Sequence, residues 1–123
     1  MTVQSIPQGP IPGAFIARAL SRSRSYDRGT LHASAAGFGD GTLVREDSDG
    51  LLVAWADDGE LAGILVQPER AEIESGRRRA VVFARQGTVH FDRLVFPPEH
   101  EAAAKSALDG RMILWRPEHL PGG

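Results

Sequence analysis

With 123 residues, no cysteine and a formal net charge of −2, the chain has room for one domain built on one core. Disulfides, thiolate nucleophiles and cysteine-based zinc sites are excluded, and a hydrophobic fraction of 41% excludes wholesale disorder. No apolar run approaches the roughly 20 residues of a transmembrane helix, and no charged-then-apolar leader of the secretory kind opens the sequence.

Charge is unevenly spread. Residues 1–36 carry four arginines against Asp27 alone, a net +3, and the remaining residues carry ten basic against fifteen acidic side chains, a net −5. Thirteen of the fourteen basic residues are arginine. The pattern is a basic leading segment on an acidic body.

The leading segment starts with Pro7, Pro10 and Pro12 among glycines, a composition that resists both helix and central strand. A short apolar patch follows at 14–20 (AFIARAL), then 21–25 (SRSRS) and a small-residue stretch at 33–41. None of it keeps the period of a core element. Residues 1–41 therefore read as an extended arm and linker that stays mobile until something docks it.

From residue 42 the texture is that of a β-rich body, 42–123. Residues 42–45 and 51–55 (LLVAW) flank the turn Asp47, Ser48, Asp49, Gly50, which predicts a hairpin. After a second turn at Asp57, Asp58 and Gly59 comes 61–66 (LAGILV). Its nearly continuous apolarity predicts a strand buried on both faces, and Gly63 within it predicts a bulge or close backbone approach. Residues 79–85 (RAVVFAR) and 88–91 flank Gln86 and Gly87 and read as another hairpin. The apolar phase then slips between Val89, Phe91 and Leu94, Phe96, which predicts a kink near Asp92 and Arg93.

One helix is marked near 98–109: prolines 97 and 98 precede it, acids occupy its first turn, Glu101 and Lys105 are spaced i,i+4, and Gly110 can cap it. Residues 111–115 (RMILW) make a last strand before a proline-rich tail. The fold class is mainly β with one short helix, an α+β arrangement preceded by an arm.

Candidate chemistry is sparse. His90 and Asp92 would share one face of a strand, the geometry a metal site or a hydrolase base needs, but no third ligand stands at a telling spacing. Asp47, Ser48, Asp49 and Gly50 begin like a calcium loop yet lack its later ligands, so a turn is the reading. Phe38 to Gly41 lacks the helix and lysine of a phosphate loop. The PxxP pattern at 7–10 is common in proline-rich arms. Arg77, Arg78 and Arg79 read as a loop of solvated arginines; the rival reading is a small nucleic-acid-binding β-barrel using them and the arm. No catalytic residue, cofactor or metal ligand is expected.

The order of segments from Thr42 to Trp115 resembles the head decoration proteins of tailed bacteriophages, the lambda-type protein D family. The residues that carry the resemblance are 51–55 (LLVAW) running into an acidic turn, 61–66 (LAGILV), 86–89 (QGTV), 94–97 (LVFP), the helix closing on Asp109 and Gly110, and 111–115. The chain departs from the family pattern in its four-arginine arm with the AFIARAL patch and in its tail after Trp115. The resemblance implies a non-enzymatic virion protein made in the host cytoplasm. It implies homotrimers on the outer surface of the expanded head, clamping the major capsid protein against internal DNA pressure, with no membrane or nucleic acid as partner. On that footing the capsid-binding arm is expected to use Ile6, Pro7, Ile11, Pro12, Phe15 and Ile16, with Arg18, Arg22 and Arg24 meeting acidic shell groups.

Overall fold

The computed structural model describes residues 15–19, 25–35, 37–74 and 76–116. Among them are strands β1 (Ile16–Ala19), β2 (Tyr26–Thr30), β3 (Leu43–Glu46), β4 (Leu52–Ala54), β5 (Leu61–Val66), β6 (Glu72–Glu74), β7 (Arg77–Phe83), β8 (Gly87–His90) and β9 (Ile113–Arg116), with helix α1 (Glu101–Gly110) before β9. The mainly β class with one short helix holds. Helix α1 is entered through a 3-10 turn, Pro98–His100, so the predicted segment is 3-10 in its first turn.

The strands form two sheets. The larger runs β2-β7-β5-β3-β4, with β6 beside β7, and the smaller runs β1-β8-β9. One more bridge, Leu31 to Leu52, ties the residue after β2 to β4, the strand at the opposite end of the larger sheet. His32 N–H donates to Leu52 O at 3.0 Å and Leu31 N–H to Arg78 O at 2.9 Å, so the sheet curls into a small barrel. Its interior holds Leu31, Ala35, Val44, Leu52, Leu65, Ala80, Val82 and Ala84.

The other face of the larger sheet carries the main core. There Leu43, Ile64, Val66 and Phe83 meet Val89 and Ile113 of the small sheet and Ala104 and Leu108 of α1. This two-sided burial is why β5 reads as an unbroken apolar run. Its register confirms the role of Gly63: Val44 opposes Gly63 and Arg45 opposes Leu61, leaving Ala62 as the bulged residue. The bulge lets Leu61 and Ile64, three apart, both face the main core.

Three sequence expectations change. The arm does not extend to residue 41, because β1 and β2 are strands of the body. Segment 26–30 (YDRGT) has no apolar alternation, and pairing with β7 makes it a strand. Gly29 lets it lie against Leu52, whose Cδ1 would sit 2.7 Å from an added Cβ. Its charges are met across the surface, Asp27 by Arg85 and Arg28 by Glu72.

Nor do β7 and β8 form a hairpin. Both edges of β7 are taken, by β2 on one side and by β6 and β5 on the other, so after Phe83 the chain crosses to the small sheet. Ser25 pins the corner: its carbonyl accepts from Ala84 N–H at 2.7 Å and its hydroxyl donates to Gln86 O at 3.0 Å.

Finally, Arg77, Arg78 and Arg79 are strand, not loop. They oppose Glu74, Ile73 and Glu72, and the guanidinium groups of Arg78 and Arg79 donate to Pro68 O and Thr30 Oγ1 at 3.0 and 2.9 Å. The predicted kink falls in the 3-10 turn Phe91–Arg93.

The β4–β5 turn is a small electrostatic unit. Arg45 Nε lies 2.9 Å from Asp58 Oδ1, which also accepts from Ala56 N–H at 3.0 Å. The hydrogen bond from Arg45 is the main reason the Asp58 carboxyl titrates below its ordinary value of 3.8. Because the folded value is the lower one, this stabilisation is present above about pH 4 and fades as pH falls through the folded value. Asp58 is 47% exposed, so the effect is under about 1 kcal/mol. Urea unfolding of Asp58→Asn should match that modest deficit at pH 7 and converge on the wild type as pH falls through the lowered folded value.

Candidate docking surface

The junction between leader and body is built around Phe15. Its side chain is fully buried, its ring stands edge-on to Phe83 at 6.1 Å, and Phe83 meets Tyr26 in the same manner at 5.4 Å. Its carbonyl accepts from His90 N–H at 2.7 Å. From there β1 pairs antiparallel with β8: Ile16 opposes Val89, Arg18 opposes Thr88 and Ala19 opposes Gly87, with Ala17 the extra residue of a bulge. The approach depends on Gly87, where an added Cβ would stand 2.3 Å from Phe83 Cζ and 2.5 Å from Arg18 O.

Phe15 is therefore a core residue, and the expectation that it anchors the shell is corrected. The largest apolar side chain of the AFIARAL patch has the most to gain from burial, and the body's own core claims it. Ile16 is half-buried and packs against the same core, while Arg18 is exposed. Ile6, Pro7, Ile11, Pro12, Arg22 and Arg24 lie outside the described residues.

The register of the small sheet places both ends of the body together. Strand β9 runs parallel to β8, Val89 opposite Trp115 and His90 opposite Arg116. The start of β1 and the finish of β9 therefore flank one end of β8. Residues 1–14 and 117–123 are attached at this pole, two strand spacings apart, about 9–10 Å. One face of the sheet (Ile16, Val89, Ile113, Trp115) covers the main core. The row Arg18, Thr88, Leu114 lies on the other face, where Leu114 is 68% exposed. Nothing in the sequence signalled this convergence, since a run such as RMILW announces a strand but not its partner or direction.

The end of β9 is clamped from the helix. Lys105, the only lysine of the chain, holds its Nζ 4.7 Å from the Trp115 ring centre and 5.2 Å from that of Phe91, while pairing with Glu101 at 3.2 Å. A cation over two ring faces joins helix, 3-10 turn and edge strand.

Elsewhere, His90 and Asp92 do not share a strand face: the strand ends at His90, which is buried, and Asp92 lies exposed on the 3-10 turn. Among the described residues no three histidine or acidic side chains are grouped to hold a metal ion, and no helix is long and apolar enough to cross a membrane. A surface groove of about 640 Å³ lies between β2, β7 and the β5–β6 connection, lined by Tyr26, Val66 and Val81 together with Arg28, Arg70 and Glu72.

The described residues thus form a β body with the start of β1 and the finish of β9 at one pole. The family profile described as bacteriophage lambda head decoration protein D matches residues 5–111, and the chain belongs to this family. It is a phage head decoration protein, a structural component of the virion capsid. No curated protein and no solved structure matches it. The match begins inside the leader, at residue 5, and stops before β9, so the strand from Ile113 onward lies beyond the matched region.

Proposed function

We propose that the protein, made in the host cytoplasm, seats as a homotrimer on the outer surface of the expanded head and holds neighbouring copies of the major capsid protein together against internal DNA pressure. The observation that supports this reading best is the anchorage of Phe15. A strap is useful only if its root does not peel. Load on residues 1–14 enters the body at a fully buried aromatic ring and at a strand bonded to the central strand of its sheet. It is therefore carried by the main core.

The leader carries the adhesive chemistry. Ile6 and Ile11 are apolar anchors, prolines 7, 10 and 12 limit the conformations lost on docking, and an extended segment can pair with an exposed strand edge of the shell. Arg18, Arg22 and Arg24 face acidic shell groups, each pair contributing at most about 1 kcal/mol. Ordering the leader costs roughly 1–2 kcal/mol per residue in backbone entropy, so a single leader holds weakly. Three leaders on one trimer gain about 10²–10⁴-fold from acting together.

The test is deletion of residues 1–13, which stops short of Phe15. The shortened protein should keep the melting temperature of the body and lose binding to expanded heads. Full occupancy by the shortened protein would overturn the proposal.

A further inference from the structure

We infer that the groove between β2, β7 and the β5–β6 connection binds an amphipathic carboxylate, a fatty-acid-like molecule. Its apolar body lies against Tyr26, Val66 and Val81, and its anionic head meets Arg70. This goes beyond the attachment role proposed above and does not depend on it.

Strand register puts the apolar lining on one face of the larger sheet. Val81 of β7 stands opposite Arg28 of β2 and Val66 of β5, and Tyr26 stands opposite Phe83. Val66 and Phe83 belong to the main core, while Tyr26 and Val81 pack against it and are only partly buried. The groove thus continues the main core out to the surface. Its width, from β2 to β5 across β7, is two strand spacings, about 9–10 Å, which admits one hydrocarbon chain. Its volume of about 640 Å³ suits a small-molecule site, where an apolar lining is joined by a few polar groups. The backbone under it is already committed, because β7 pairs with β2 on one side and β5 on the other along this stretch. An extended peptide cannot be added there as a strand, so recognition is left to apolar contact and charge.

Charge selects the head group. The charged residues lining the groove are Asp27, Arg28, Arg70, Glu72 and Arg79. Asp27 pairs with Arg85, Glu72 pairs with Arg28, and Arg79 donates to Thr30 Oγ1 at 2.9 Å. Arg70 is different. It is exposed at the end of the 3-10 turn Pro68–Arg70, and its side chain has no ion pair or hydrogen bond among the described residues. Glu69, its neighbour in sequence, is not part of the lining. A guanidinium without a carboxylate beside an apolar floor favours a ligand that brings one, through charge-assisted hydrogen bonds. Three guanidinium groups against two carboxylates disfavour a cationic head.

The experiment titrates the full-length protein with decanoate below its micelle concentration, using decanol and acetate as probes that lack the charged head or the apolar body. Tyr26 is the only tyrosine of the chain, so its ring signals in the proton NMR spectrum report on the groove directly. Decanoate should move them saturably at one molecule per chain. Acetate should have no effect, and decanol should bind about tenfold more weakly. Arg70→Gln should weaken decanoate by the same factor. Arg93→Gln, a change to an exposed arginine outside the lining, should not, and both variants should melt with the wild type. Tyr26 signals that decanoate leaves unmoved overturn the inference. Binding that survives Arg70→Gln or the loss of the carboxylate overturns it too, as simple adsorption to apolar surface. Sedimentation of the same samples tests the remaining route: decanoate binding only as copies of the chain come apart makes the groove a seam between copies and overturns the inference. Phage heads enter none of these measurements, so failure here leaves the capsid-binding proposal standing.

Discussion

Replacing Phe15 by alanine is expected to destabilise the body by about 3–5 kcal/mol, the range for removing a buried aromatic ring. The ring is fully buried, it packs edge-on against Phe83, and its neighbours Leu43, Val89 and Ile113 belong to different strands that cannot all collapse into the space. Domains of this kind hold roughly 5–15 kcal/mol in total, so the loss is a large share of the whole. Thermal unfolding should fall by roughly 10 °C or more. An unchanged melting temperature would mean that Phe15 is not in the core, and the account of a leader rooted there would fail. The pair of variants is diagnostic: deletion of residues 1–13 should affect attachment and spare stability, whereas Phe15→Ala should do the reverse until the body begins to unfold at the assay temperature.

The second large effect is expected at Gly63. A Cβ there would stand 2.4 Å from Val82 Cγ1, 2.8 Å from the Phe83 carbonyl oxygen and 3.1 Å from Ala84 Cα. Two of these three atoms are backbone, one in the adjoining β7 and one in the residue that follows it, so no rotamer change relieves the contact. The residue also sits at φ +154, a conformation that side chains rarely adopt. Gly63→Ala should cost more than about 2–3 kcal/mol through overpacking and backbone strain together. Denaturant titration should show a lower midpoint. Gly50→Ala is the control, since that glycine has a positive φ but open space around it; it should lose only the strain, about 1 kcal/mol. A Gly63→Ala protein as stable as wild type would remove the bulge from the account of how β5 serves two cores.

The two substitutions mark how much of the molecule was legible in its residues. Gly63 was visible from sequence because glycine inside LAGILV breaks a run that otherwise has every reason to keep its side chains. The β3–β4 hairpin was visible because turn chemistry is local: the Asp47 carboxylate accepts from the Asp49 and Leu51 N–H groups at 2.8 and 2.9 Å, as an aspartate at that position does in most turns. The helix was visible for the same reason, its start and stop residues being neighbours in sequence. Phe15 was misread because AFIARAL is too short to show a period. Its strand exists only because β8, some seventy residues later, offers an edge. The β7–β8 hairpin was misread for the converse reason: Gln86 and Gly87 supply a good turn, but β7 had no edge left to offer.

The candidate surface divides in the same way. The adhesive content of the leader, its prolines and isoleucines, is a property of composition. What the leader is fastened to, and what lies beside it, is not. Amino-acid order by itself determined the class of the fold, the turns, the helix and the family, because these rest on interactions between residues close along the chain or on a pattern that survives as spacing. Only the tertiary structure decided which strands share a sheet, that Leu31 closes a barrel on Leu52, and that β1 and β9 bring both ends of the body to one pole. Those outcomes are set by competition for a limited number of backbone edges and for space in two cores, and both are settled only when the whole chain is present.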